Sequence, residues 1–138
     1  MGAKKRLRAE KIKEERKNQY FAKLNNCPTS PRKMRLMADM VRGVEVNKAL
    51  DMLRFHPKSA AKDMEKLLMS AIANWQVKNE GERLEDSQLY VKEVYVDPGR
   101  MLKRVKPAAQ GRAHLIRRRT NHVTLVLDNA KEEEEEEE

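Results

Sequence analysis

From Pro98 to Leu127 the chain carries no aspartate or glutamate, yet the same thirty residues hold eight formal positive charges, on Arg100, Lys103, Arg104, Lys106, Arg112, Arg117, Arg118 and Arg119. His114 and His122 add further cationic capacity. The outer part of such an arm cannot organise itself. Its like charges repel, it has no acidic partner of its own, and it has too few apolar side chains to build a core. Elsewhere the chain has acids to spare, with 22 among 138 residues. Solvated loops normally mix signs, so the window points to a polyanionic partner. The balance of the whole chain agrees. Seven of its acids form the terminal run Glu132 to Glu138, and the remaining 15 stand against 30 Lys and Arg, a net +15.

Other classes drop out early. The single cysteine, Cys27, excludes an internal disulfide and gives no sign of secretion. No apolar run approaches the length of a membrane span. The first residues, Met1 to Arg6, lack the apolar block of a signal peptide, and Glu10, Glu14 and Glu15 speak against an acid-poor transit peptide. The expected location is the cytoplasm.

Hydrophobic period divides the rest. Residues 1–18 are charged nearly throughout. Their reading stays open between a solvated arm and an arm lying on nucleic acid, with Lys11 and Glu15 spaced for a surface helix. Residues 20–27 read as a short strand, and Asn25 to Pro28 as a turn. Ser30-Pro31 opens a helix, with Ser as N-cap and Pro at the first helical position. Met34, Met37, Ala38 and Val41 form its apolar stripe, and Gly43 caps its end. A second helix carries Val46, Ala49, Leu50 and Leu53. Pro57 opens a third, whose stripe is Ala60, Ala61, Met64, Leu67, Leu68, Ala71, Ile72 and Trp75. After Gly81 the period becomes two. Leu89 to Val96 reads as a strand apolar on both faces, and a second strand pattern runs from about Ala113 to Leu127. The two are expected to pair antiparallel, with residues 100–112 as the distal part of a long hairpin. From Leu89 to a tip near Arg104 an extended strand reaches roughly 50 Å. That is far beyond the ~13 Å radius of gyration of a body of about 100 residues. Lys131 to Glu138 reads as a solvated acidic tail, with fold-back onto the basic arm as the sharper alternative.

Nothing resembles a catalytic site. His56, His114 and His122 have no metal-ligand spacing with one another or with Cys27. Phosphate-cradling glycine loops are missing, and the most basic region lacks the carboxylates that a metal nuclease needs. Cys27 reads as a small packed residue. The arm's chemistry suits RNA instead. Guanidinium forks contact two phosphate oxygens and stack on unpaired bases. Gly99 and Gly111 permit tight turns or close approach, and Pro98 and Pro107 stiffen the backbone. A second basic cluster, Arg32, Lys33 and Arg35, starts the first helix, where free N–H groups already favour a phosphate.

Five segments together resemble a known family. Ser30-Pro31-Arg32-Lys33-Met34-Arg35-Leu36 with Ala38 to Gly43, then Ala49 to Leu53, then Ser70 to Asn74 look like the three helical motifs of the universal large-subunit ribosomal protein numbered twenty-two, bacterial type. Val94 to Asp97, Leu102 to Arg104, Pro107 and Gly111 to Ala113 resemble its hairpin, and Arg118 to Thr124 its last strand. The match runs in order from about Leu24 to Leu127. The resemblance implies an α+β fold, with three helices packed on a small three-stranded antiparallel sheet and a long protruding β-hairpin arm. Residues 19–130 would form the ribosomal-protein domain, including the arm at about 89–127. Residues 1–18 would be an N-terminal extension and 131–138 an acidic tail.

The resemblance also implies a structural constituent of the large ribosomal subunit, not an enzyme, with no cofactor or metal. Its partners would be large-subunit ribosomal RNA, neighbouring ribosomal proteins and, at the hairpin tip, the nascent polypeptide. No membrane and no homo-oligomer are expected. The body would sit near the exit of the nascent-chain tunnel, and Leu102, Lys103 and Arg104 would line the tunnel at the tip, a segment tied in this family to macrolide resistance and peptide sensing. The RNA-binding residues would be Ser30, Arg32, Lys33 and Arg35 on the body, Arg117, Arg118, Arg119 and His122 at the base of the arm, and Arg100, Lys103, Arg104, Lys106 and Arg112 along it. The alternative is a dissociable RNA chaperone or assembly factor.

Overall fold

The computed structural model describes residues 2–84 and 87–130, so the acidic tail lies outside the described residues. Helix α1 (Gly2–Asn18) leads into strand β1 (Tyr20–Cys27), and helices α2 (Pro31–Val41), α3 (Val46–Arg54) and α4 (Ser59–Lys78) follow. Strands β2 (Leu89–Pro98), β3 (Leu102–Pro107), β4 (Ala113–Arg118) and β5 (Asn121–Asn129) follow within the described residues. One sheet has the order β1-β5-β2, antiparallel throughout, and β3 with β4 form a separate two-stranded ribbon. The fold is α+β, with α2, α3 and α4 on one face of the three-stranded sheet.

The apolar stripes explain this packing. Met34, Met37, Ala38 and Val41 of α2 are buried, as are Val46, Ala49 and Leu53 of α3 and all eight stripe residues of α4. They meet Tyr20, Ala22, Leu89, Val91, Val94, Val123, Leu125 and Leu127 from the sheet. Each such fully buried Leu, Val or Met contributes ~1.5–3 kcal/mol. Cys27 is buried, with its Sγ 3.6 Å from Asp63 Oδ2 and 3.5 Å from Thr29 Oγ1.

Several local expectations shift. A fourth helix joins the three expected. In α1, Arg6–Glu10 at 2.8 Å and Lys11–Glu15 at 4.0 Å are i,i+4 pairs, and Arg16 and Lys17 sit where the helix dipole favours cations. Its described side chains are exposed, so it adds nothing to the core. Asn25 to Cys27 continue β1 instead of turning. The irregularity expected there is a register shift between Leu24 and Cys27, with Asn26 in the left-handed region at φ 54°. Helix α4 begins at Ser59, because Pro57 and Lys58 only lead into it.

Strand β2 is buried on one face, and on the other Tyr90 is half-buried while Lys92 is exposed. A bulge at Lys92 moves the inward phase from Leu89 and Val91 to Val94. Without it, Glu93 and Tyr95 would point at the core in place of Val94 and Val96.

Both sheet edges are covered. Gly43 N–H donates to Val91 O at 2.8 Å, and Val91 N–H to Val44 O at 3.0 Å. Arg42 Nη2 donates to Val94 O at 2.9 Å and Arg35 Nη2 to Val96 O at 3.3 Å. Loop and guanidinium groups thus satisfy the outer edge of β2. At the other edge, Asn74 Nδ2 donates to Phe21 O at 3.0 Å, and Lys78 Nζ to the carbonyls of Lys17 at 2.8 Å and Gln19 at 2.7 Å.

Candidate nucleic-acid interface

The long second strand expected from Ala113 to Leu127 is two strands with a joint between them. The β2–β5 ladder ends at Pro98↔Asn121, and the β3–β4 ladder starts at Leu102↔Arg118. Three residues, Gly99 to Met101, therefore face two, Arg119 and Thr120. This one-residue mismatch twists the arm where it leaves the body. The joint is held by Gly99 N–H to Thr120 O at 2.8 Å, Thr120 Oγ1 to Arg100 O at 2.7 Å, and Arg119 Nη1 to Met101 Sδ at 3.4 Å. Gly99 is required here by space. A Cβ would lie 2.5 Å from Thr120 Oγ1 and 3.2 Å from His122 Nε2.

Beyond the joint every residue of β3 and β4 is exposed. The ribbon closes at Ala109–Gly111, where Ala108 N–H donates to Arg112 O at 2.8 Å and Gln110 and Gly111 have φ of 59° and 69°. From Gly99 to that turn an extended chain spans roughly 40 Å. Pairing sorts the side chains onto two faces. One face bears Leu102, Arg104, Lys106, His114, Ile116 and Arg118; the other bears Lys103, Val105, Pro107, Ala113, Leu115 and Arg117. Lys103 stands directly opposite Arg117, and Lys106 opposite His114. Like charges placed as Lys103 and Arg117 are weaken a ladder, and a lone two-stranded hairpin is marginal in water.

The tip expected at Leu102 to Arg104 is misplaced. Leu102 forms the first pair of the ribbon and Arg104 lies midway, so the turn is Ala108 to Arg112, with Lys106 and Arg112 beside it. Periodicity could not reveal this, because turn position depends on pairing register.

The body cluster lies next to the base of the arm. Ser30 caps α2 through its carbonyl, which accepts the Met34 N–H at 3.1 Å. Its side chain makes no cap bond. Arg32 and Lys33 are exposed on the first turn. Buried Asn121 donates through Nδ2 to Thr29 O just before that helix, and His122 Nδ1 accepts the Asn26 N–H at 3.0 Å. These links tie the turn before α2 and the end of β1 to Asn121 and His122, the first residues of β5 after the arm. Two residues read as RNA contacts also have structural work. Arg35 braces the β2 edge, and His122 ties β5 to the β1 irregularity. Asn121, Thr120 and Arg42 escaped the sequence reading, since their partners are backbone carbonyls far away in the chain. Among the described residues no cluster of His, Cys, Asp and Glu could hold a metal ion. None of the described helices is long and apolar enough to cross a membrane.

A family model described as ribosomal protein L22p/L17e matches residues 22–128. Similar proteins named large ribosomal subunit protein uL22 occur in several bacteria. That of Christiangramia forsetii is 67% identical over 127 residues, covering 92% of this chain and 94% of its own. That of Flavobacterium johnsoniae is 61% identical over 127 residues, with 92% and 93% covered. That of Bacteroides fragilis (strain YCH46) is 57% identical over 135 residues, with 98% of each covered.

Proposed function

The chain belongs to the ribosomal protein L22p/L17e family, structural and non-enzymatic proteins of the large ribosomal subunit, and from that premise we infer that it holds ribosomal RNA through its arm and the first turn of α2. The body formed by residues 19–130 anchors through Ser30, Arg32, Lys33 and Arg35. Arg117, Arg118, Arg119 and His122 secure the base, while Arg100, Lys103, Arg104, Lys106 and Arg112 follow phosphates along the arm. This binding supports subunit assembly. The distal ribbon reaches the exit tunnel and lines it. With the turn at Ala108 to Arg112, that turn is the part of the ribbon the nascent chain meets.

One observation carries the reading: a fully exposed ribbon, without an acid, that bears cations on both faces and sets Lys103 opposite Arg117. Phosphates arranged around such a ribbon turn mutual repulsion into attraction and supply the order it lacks alone. If about six phosphates are engaged, log K against log salt falls with a slope of roughly −4 to −5. Titration of a large-subunit RNA fragment at several salt concentrations measures that slope, and a value near −1 overturns the role of the arm. A high-salt wash distinguishes a constituent from an assembly factor. The chain stays with large subunits if it is a constituent, and its loss would favour the dissociable factor.

A further inference from the structure

The sheet has a second face, and no described element packs over its centre. Inward residues of β5 alternate with His122, Thr124, Val126 and Asp128, which point away from the helices. The register places Phe21 and Glu93 on either side of Val126, and Lys23 and Tyr95 on either side of Thr124. Val126 and Thr124 thus floor a trough whose walls stand two strand spacings apart, roughly 9.6 Å. Arg16 of α1 and Gln19, just after it, also line the cleft, which holds about 280 Å³. Phe21 is 40% exposed and Tyr95 49%. Lys23 Nζ lies 5.7 Å from the centre of the Phe21 ring. The Tyr95 hydroxyl donates to the Glu93 carboxylate, which fixes that carboxylate at the rim.

We propose that this trough binds an unpaired RNA base bearing an exocyclic amino group, with Phe21 and Tyr95 as stacking surfaces, Glu93 as acceptor for the amino group, and Arg16 and Lys23 as phosphate contacts. Exposed rings on a sheet are the usual platform for single-stranded RNA, because every base has a π-face. The charges fit a nucleotide better than an apolar segment. Two cations flank the rings, and Lys13, three positions before Arg16 on the same helical face, extends the positive track. Glu93 takes the Tyr95 hydroxyl on Oε2, which leaves Oε1 as an acceptor, and a carboxylate accepting from the amino group of cytosine is an established pairing. The bulge at Lys92 is what sets Glu93 and Tyr95 on this face. The proposal rests on the chain meeting ribosomal RNA, but it concerns a different surface from the arm.

The test follows ring resonances of the full chain by NMR during titration with cytidine and uridine tetraribonucleotides, at salt high enough to screen weak contacts. Saturable shifts at Phe21 and Tyr95, stronger with the cytidine oligomer, are expected. Phe21→Ala weakens this binding about tenfold, as loss of one stacking surface should. Phe21→Tyr retains it, which separates stacking from mere stability. Glu93→Gln abolishes the preference for cytidine. Rings that do not move with either oligomer, or that move equally with both, overturn the proposal. Shifts confined to the arginines of the arm would also overturn it while leaving the arm's role intact, and ring shifts with an inert arm would do the reverse. If the face is instead covered by a neighbouring protein in the subunit, ultraviolet crosslinking of intact subunits yields protein adducts at residues 21–23 and 93–95 and no nucleotide adducts, which likewise overturns it.

Discussion

Asn121 is fully buried, and its side-chain amide donates to Thr29 O, fastening the first residue of β5 to the turn before α2. A buried carbonyl that loses its donor costs about 1–3 kcal/mol. Asn121→Ala should therefore lower stability by about that amount, measured by denaturant unfolding, with no change in net charge. Tyr95 offers a pH test. Its hydrogen bond to Glu93 raises its pKa above the ordinary 10.0, with a smaller contribution from burial, then repulsion by the Glu93 charge, while Arg42 acts in the opposite direction. A raised value means that the hydrogen bond's contribution is present below pH 10 and is lost as pH rises through the folded-state value. Ultraviolet titration compared with a Tyr95→Phe variant should show Tyr95 ionising late, and Glu93→Gln should bring it back toward the ordinary value.

At the scale of elements, the joint between body and arm matters most. Gly99 leaves no room for a methyl group, since the nearest atoms include the carbonyl carbon of Thr120 at 3.2 Å as well as its hydroxyl. Gly99→Ala must displace Thr120 and weaken its bond to Arg100 O. A loss of about 1–3 kcal/mol is expected from such overpacking. RNA affinity should fall as well, because the arm leaves at an altered angle. Unchanged affinity in a footprinting titration would show that the joint does not aim the arm. The helices could be read from their stripes, because a 3.6-residue period exposes the buried face directly in sequence. The change of phase within strand β2 could not. Its bulge depends on whether Val94 and Val96 or Glu93 and Tyr95 enter the core, and only the packed helices decide that competition.

At the scale of the molecule, the core and the charged interface are separate. Among the described residues, no buried core residue lies between Val94 and Asn121 or within α1. A chain in which residues 99–119 are replaced by a short turn should fold with an almost unchanged thermal midpoint and lose most of its affinity for large-subunit RNA. A collapse of the midpoint, followed by circular dichroism, would show that the arm supports the body. The sequence by itself determined the three apolar helices, the antiparallel partner strands and the cationic arm, since period and charge are local properties of the chain. Tertiary structure alone decided where the arm turns, how its register slips at the joint, and that Arg35, Arg42 and His122 spend hydrogen bonds on the body. Those outcomes depend on which distant backbone groups arrive beside each side chain, and pairing across dozens of residues leaves no mark on the spacing of residues along one strand.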